Sequence, residues 1–422
     1  MQSDSQHKVF KQKAAQWAKQ FEVCCLLDNN SCKNAFGLNE IEFALAAGVL
    51  DSISGNGKED WDALKAFIDK HSQESPVFGF FSYDLKNQIE NLESLHPDHI
   101  QFPCLYFFVP KHVILIDNNQ QTMVMSEDGE TIMADINKQQ IEDYPLNSIN
   151  LTQKVSKEAY LKNVEAIKNH IIEGDVYELN YCVEFFAENV FIDPLHTYFH
   201  LQNNSPTPFG GYVKLQDKFL LCASPERFIK KSLNKLYSQP IKGTVRRSED
   251  LITDEQLKQE LAHSEKEKAE NLMIVDLVRN DLAKSSQTGT VVVDELYGIY
   301  SFKQVHQMVS TVSSTILDGL HPVEAIKNAF PMGSMTGAPK VMAMQLIEKY
   351  ENSKRGLYSG ALGYFAPNED FDFNVVIRSI QYNQSTGYLN FEVGSAITFD
   401  SDAEKEYEEC LLKAEAMIKA LS

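Results

Sequence analysis

Ser238-Gln239-Pro240-Ile241-Lys242-Gly243-Thr244-Val245-Arg246-Arg247 fixes a single lysine between a proline and a glycine. Residues 235–238 read as a strand, Pro240 ends its ladder pairing, and Gly243 lets the backbone pass close to a neighbour. Lys242 is then held on a constrained corner that aims its amine into a cavity. Desolvation there is expected to lower its pKa towards that of a usable nucleophile. A solvated basic turn, with Arg246 and Arg247 beside the lysine, is the plainer reading of the same ten residues.

Outward from this corner the chain alternates strand-like and helical stretches. Strands are expected at 176–186, 209–213 and 219–223 before it, and at 290–296, 360–365, 373–381 and 389–393 after it. A helix is expected to start after Ser156, with Tyr160, Val164, Ile167 and Ile171 on one face and Gly174 past its end. Further helical readings fall at 194–202, 254–283, 322–329, 340–350 and from Asp402 onwards. In the first 150 residues, strands at 21–27, 77–83, 105–109, 112–116 and 121–126, with a hairpin at 117–120, accompany helical patches at 39–47 and 61–71. Residues 127–153 are the most polar and read as an exposed connection. Strands cluster and helices are not regularly interleaved, which predicts an α+β fold. It is expected to form a single domain over 1–422, with 1–150 as its N-terminal part and 151–422 as the catalytic core.

A chain of 422 residues with 23% charged and 43% hydrophobic residues matches a globular enzyme. The net charge of −20 argues against nucleic acid or an anionic membrane as partner. Seven cysteines without a CxxC pair read as reduced thiols, not a disulfide framework or zinc site. No apolar run approaches a membrane span and the N-terminus has no apolar signal core, so a soluble cytoplasmic protein is expected.

Several segments carry candidate chemistry. Glu267 and Glu270 are three apart on one expected helix, and Glu406 and Glu409 on another, so each pair shares a face. Two such faces meeting would make an all-oxygen site suited to Mg²⁺; surface ion pairing, as for Lys266 with Glu270 or Lys413 with Glu406, is the alternative. The small-residue loop 333–340, with Thr336, opens onto a helix and can hold an anion, although the spacing is not that of a nucleotide-phosphate loop. Arg378 lies in an otherwise apolar strand, where it pairs internally or grips a carboxylate. Tyr358 and Gly394-Ser395-Ala396 add a hydroxyl and a close backbone approach.

Together these segments resemble the chorismate-utilising enzymes, which include anthranilate synthase large subunits, aminodeoxychorismate synthase component I, and isochorismate and salicylate synthases. The resemblance runs through Pro240 to Thr244, Glu270 to Leu282, Gly333 to Lys340, Gly360 to Phe365, Ile377-Arg378-Ser379 and Glu406 to Ala414, and more loosely through Gly79 to Leu85. It implies two packed antiparallel sheets with surrounding helices enclosing the site.

The resemblance also implies roles. Anthranilate synthases usually carry alanine where this chain has Lys242, whereas aminodeoxychorismate synthases often carry this lysine. There it is implied to attack C2 of chorismate and expel the C4 hydroxyl before ammonia adds at C4. Members that use water carry a lysine at the place of Glu178, so isochorismate and salicylate synthesis are not expected. Glu270 and Glu409 are the implied principal Mg²⁺ carboxylates, with Glu267 and Glu406 in support. Arg378, Tyr358, Thr336, Gly394 and Ser395 are the implied substrate-binding set. Glu226 and His306 join Lys242 as catalytic candidates, although the family's usual histidine falls at Gln307, directly after His306. The implied product is 4-amino-4-deoxychorismate, on the way to 4-aminobenzoate and folate, with anthranilate synthesis or a catalytically silent chorismate-binding subunit as alternatives. With no glutaminase segment read in the sequence, ammonia is expected from a separate glutamine amidotransferase subunit in a heterodimer. Leu26-Leu27-Asp28-Asn29 only partly resembles the strand beside the tryptophan feedback site of relatives, so no tryptophan inhibition is expected.

Overall fold

The computed structural model describes residues 2–32, 38, 41–55, 57–71, 73–141 and 148–422. The chain opens with α1 (Gln2–Ala18), β1 (Val23–Asp28), β2 (Ile41–Ser54), α2 (Asp60–His71), β3 (Val77–Phe81), β4 (Leu105–Asp117), β5 (Thr122–Met125) and α3 (Gly129–Lys138). A short β6 (Thr152–Gln153) leads into α4 (Lys157–Glu173), β7 (Glu178–Ala187), α5 (Pro194–Asn204), β8 (Phe209–Leu215), β9 (Lys218–Ser224) and β10 (Arg227–Ser232). The proline-broken stretch becomes β11 (Lys235–Gln239) and β12 (Ile241–Arg246). After it come α6 (Leu251–His263), α7 (Glu265–Ala283), β13 (Val292–Ser301), β14 (Val305–Thr315) and α8 (Pro322–Ala329). The chain finishes with β15 (Gly337–Ala338), α9 (Lys340–Tyr350), β16 (Ala361–Phe365), β17 (Phe371–Val375), β18 (Ser379–Asn383), β19 (Tyr388–Ile397) and α10 (Ala403–Ala420).

The described ladders are antiparallel and link nineteen strands into one continuous sheet where two packed sheets were expected; its cores divide it into two layers joined through common strands. Alternate residues of β1, β2, β3, β4, β8, β9 and β16, among them Cys25, Ala44, Phe80, Tyr106, Leu220 and Leu362, make the core between the layers. The opposite face of one layer is covered by α1, α3, α4, α5, α9 and α10 through Trp17, Ile136, Val164, Tyr198, Leu346 and Met417. That of the other is covered by α2, α7 and α8 through Leu64, Ile274 and Ile326. β2 and β4 run through both layers: Leu105, Phe107 and Val109 face the second outer core, but Ile114 and Ile116 face the first. The register of the β2–β4 ladder shifts between Val49 and Asp51, where Val49 opposes Pro110, and this shift exchanges the faces.

Four local expectations change. Of the helical patch at 39–47, residues 41–47 are the start of β2, buried on both faces because they lie between two cores; Asn39 and Glu40 lie outside the described residues. Residues 254–283 form two helices, because the Ser264 hydroxyl accepts the Glu267 N–H and starts α7 afresh. The polar connection contains α3, which buries Ile132 and Ile136; residues 142–147 lie outside the described residues. The strand at 373–381 is two strands, broken at 376–378. Ser156 and Gly174 cap α4 as expected. No described helix is long and apolar enough to cross a membrane.

Candidate active site

β11 and β12 both pair with β14, and the β12 register shifts between Ile241 and Thr244, so Lys242 and Gly243 form a bulge. Gly243 has φ +89°, and a Cβ there would lie 3.1 Å from Glu267 Oε2 and from Leu261 Cδ1. Glycine is therefore favoured by the backbone conformation, and the approach of α6 and α7 leaves little room for a side chain. The bulge brings Lys242 to the wall of a cavity of about 1080 Å³. Its Nζ lies 2.9 Å from Glu178 Oε1. Burial by itself would lower the amine's pKa, as the sequence reading expected. The carboxylates of Glu178, Glu270 and Glu226 outweigh it and hold Lys242 above the ordinary lysine value, so the resting side chain is an ammonium.

Both acidic pairs reach the same cavity, Glu267 and Glu270 from α7 and Glu406 and Glu409 from α10. The ion pairs considered from sequence exist, but within this wall. Lys266 Nζ stands 3.6 Å from Glu270 Oε1 and 3.7 Å from Glu406 Oε1, bridging the helices, while Lys413 pairs with Glu409 at 2.7 Å and not with Glu406. Burial pushes Glu270 up to about 7, with Glu267 adding to the rise and Lys242 and Lys266 opposing it. Glu409 is held below the usual carboxylate range, mainly by Lys413. Among the described residues, the one trio with metal-ligating atoms within 4.8 Å of one another is His170, Glu173 and Asp175, so the four glutamates are not drawn into a tight cluster. Their chemistry still fits Mg²⁺, being all-oxygen and contributed by two helices facing one cavity; a dication would also relieve the buried negative charge at Glu270.

Arg378 occupies the break between β17 and β18 with φ +49°, a left-handed conformation that ends the strand and places the residue at the cavity. Its guanidinium makes no hydrogen bond or ion pair among the described residues. Burial lowers it to about 10, with Glu226 pulling the other way. A half-buried arginine without a hydrogen-bond partner, facing a cavity, is a ready partner for a carboxylate. Tyr358 and Gly394 line the same space. Gly394 must be small: a Cβ would lie 2.5 Å from Cys182 Sγ.

Two expected binding residues do not reach the cavity. Ser395 follows Gly394 on β19 and so faces the other side of the sheet, where its hydroxyl meets Tyr160 OH at 3.0 Å. The fully buried Thr336 hydroxyl donates to the carbonyls of Met332 and Gly333, bracing the loop from within. The same alternation separates His306 from Gln307 on β14. His306 turns away, with Nε2 3.1 Å from Asp254 and Nδ1 2.7 Å from Ser301 Oγ, whereas Gln307 lines the cavity with its Oε1 buried and unpartnered. His306 is therefore not placed to touch a ligand.

Glu226 is in place. It lines the cavity, accepts a hydrogen bond from Ser334 Oγ at 2.6 Å, and is pushed by burial up to about 7 against the pull of Ser334, Lys242, Lys413 and Arg378. The structure adds Asn180, Thr244, Ser334, Glu392 and Lys413 to the wall. Lys413 also donates to Gly394 O at 2.7 Å, tying α10 to β19. Its position four residues beyond Glu409 was the available sequence signal, since i and i+4 share a helix face.

The chain is 34% identical over 364 residues to aminodeoxychorismate synthase component 1 of Bacillus subtilis, covering 82% of this chain and 76% of that protein. It is 35% identical over 369 residues to the chloroplastic aminodeoxychorismate synthase of Arabidopsis thaliana, covering 81% of this chain and 40% of that one. Across such relatives the chain spans from 32% to 86% of their length. Its fold matches the crystal structure of anthranilate synthase component I from Streptococcus pneumoniae with a TM-score of 0.79 and 26% identity, over 90% of this chain and 92% of that one. The family description chorismate binding enzyme fits residues 23–419, almost the whole chain, and with these likenesses it follows that the chain belongs to the chorismate binding enzymes.

Proposed function

We propose that this chain converts chorismate and ammonia to 4-amino-4-deoxychorismate. The observation that carries the proposal is Lys242, an amine brought by a bulge to a cavity in which Arg378 has no partner of its own. Its likeness to aminodeoxychorismate synthases of a bacterium and a plant supports the same reaction.

The residues divide the work by position. Arg378 and Tyr358 take a carboxylate of chorismate beside the closely packed Gly394 backbone. Glu178, whose Oε2 is buried without a hydrogen-bond partner, receives the proton that Lys242 must lose. Lys242 then forms a bond to C2 as the C4 hydroxyl leaves, and Glu226, half protonated near neutrality, donates the proton that releases it as water. Ammonia adds at C4, the bond from Lys242 to C2 breaks, and the amine and both carboxyl groups return to their starting states. The carboxylates of Glu270 and Glu409, with Glu267 and Glu406, would hold Mg²⁺, which supplies Lewis-acid polarisation when bound.

We further propose that a separate glutamine amidotransferase subunit delivers the ammonia. Burial pushes all seven thiols up, so among the described residues no cysteine is an activated thiolate for glutamine hydrolysis. All seven are free, which suits the cytoplasm. The second reading is anthranilate synthesis, favoured by the fold match to the Streptococcus enzyme; Lys242 stands against it. The experiment is turnover of chorismate by the purified chain with Mg²⁺ and either ammonium or glutamine. Ammonium should support the reaction; activity on glutamine alone would refute a separate donor.

A further inference from the structure

Behind Glu226 lies a second, much smaller hollow of about 20 Å³, enough for one water-sized molecule. Glu226 and Ser334 line both it and the large cavity, so the carboxyl stands at the boundary between them. The hollow's other walls include Ser238, Val278 and Ala329, and a second carboxylate, Asp281. All of these residues are buried.

Asp281 carries the hollow outward. Its Oδ2 accepts from Lys340 Nζ at 2.6 Å and its Oδ1 from Lys284 Nζ at 3.2 Å. Lys284 is half-exposed and also donates to Asn328 O at 3.3 Å, where the C-terminal ends of α7 and α8 meet. Polar groups thus flank the hollow, Lys284 and Asp281 on its outer side and Glu226 on the side of the large cavity, while Phe228, Ile229, Leu282 and Met332 make much of the wall between them apolar.

We infer that this hollow is an ammonia site, the place where the nitrogen nucleophile is held before it enters the large cavity. Ammonia is close to water in size and donates N–H groups, and the hollow offers it the Glu226 carboxyl at its inner end, while both Asp281 oxygens at the outer end are already taken by Lys340 and Lys284. Ammonium bound there gives one proton to the Glu226 carboxylate; an N–H bond breaks, an O–H bond forms, and neutral ammonia is left beside the reacting carbon. The inference rests on the reading that this chain aminates chorismate.

Val278→Ile adds one methylene from α7, and Ala329→Val narrows the hollow from α8. Each should raise the KM for ammonium about tenfold while the KM for chorismate stays within about twofold, because one methylene in a closed pocket discriminates on this scale. Thermal unfolding identifies the folded variants, and either one decides the matter. An unchanged ammonium KM in a folded variant would overturn the site. The unaltered chain gives a second readout: methylamine in place of ammonium should not be incorporated, and incorporation as ready as that of ammonia would also overturn it. Failure of the underlying reading looks different, since the unaltered chain would then form no aminated product at any ammonium concentration.

Discussion

Lys242 Nζ lies 2.9 Å from Glu178 Oε1, which joins the bulge of β12 to the first residue of β7. In the proposed reaction this pair supplies the amine that attacks and the carboxylate that takes its proton. Lys242→Ala should lower kcat for amination by about a hundredfold or more, and Lys242→Arg should not restore it, because a guanidinium keeps the charge but cannot form the covalent bond. Steady-state kinetics on both variants, with folding verified by thermal unfolding, test this. Full activity in either would reject covalent catalysis.

Glu226 makes a prediction about stability as well as rate. Its carboxyl is raised from 4.5 in the unfolded chain to about 7 by burial. Between these values the folded protein holds a proton that the unfolded chain has lost. The native state is therefore progressively disfavoured as pH rises from about 4.5 to about 7, by up to about 3 kcal/mol. Glu226→Gln keeps the acceptor for Ser334 and removes the titration. The variant should lose activity yet unfold at a higher temperature than the parent at pH 8, with the difference shrinking towards pH 5. A variant equally stabilised at both pH values would contradict the burial argument.

Mg²⁺ should raise the unfolding temperature, since a ligand that binds only the folded state stabilises it by about 2.7 kcal/mol at a hundred times its Kd. Glu270→Gln and Glu409→Gln should each remove most of that shift together with magnesium activation. An undiminished shift in both would reject the assignment of these carboxylates.

Lys11 of α1 bears on regulation. Its ammonium lies 2.9 Å from Asp28 and 3.1 Å from Glu42, and both acids line a cleft of only about 70 Å³ beside β1. Such a cleft is far below the volume of ordinary ligand pockets, about 300 Å³ and more. Millimolar L-tryptophan should therefore leave the rate unchanged; inhibition would show that the cleft opens. Lys11→Met should destabilise the fold by about 3 kcal/mol, because it leaves two buried carboxylates without their cation. Chemical denaturation measures that loss.

Much of this site was legible because its chemistry is local. Pro240 and Gly243 marked the lysine corner, and the i, i+3 glutamates fixed which faces of α7 and α10 meet. What the sequence hid were long-range effects. β14 carries His306, Gln307, Ser310, Thr311, Ser313 and Ser314, and this polar run did not read as a core strand until its partners appeared, such as Asn271 for the Ser310 hydroxyl at 2.5 Å. Apart from Glu42, residues 41–47 are apolar without alternation because both their faces are covered, so a strand there read as a helix. The charge on Lys242 could not be foreseen from its own segment, since the acids that set it come from β7, α7 and the turn after β9. Ser395 and Thr336 sit next to cavity residues in sequence but point away from the cavity.

The central claim is that amination occurs at C4 and leaves the enolpyruvyl group in place. Mass spectrometry of the product formed by the purified chain from chorismate, Mg²⁺ and ammonium tests it most directly. The account predicts 4-amino-4-deoxychorismate, with no pyruvate released. Anthranilate together with an equal amount of pyruvate would contradict it.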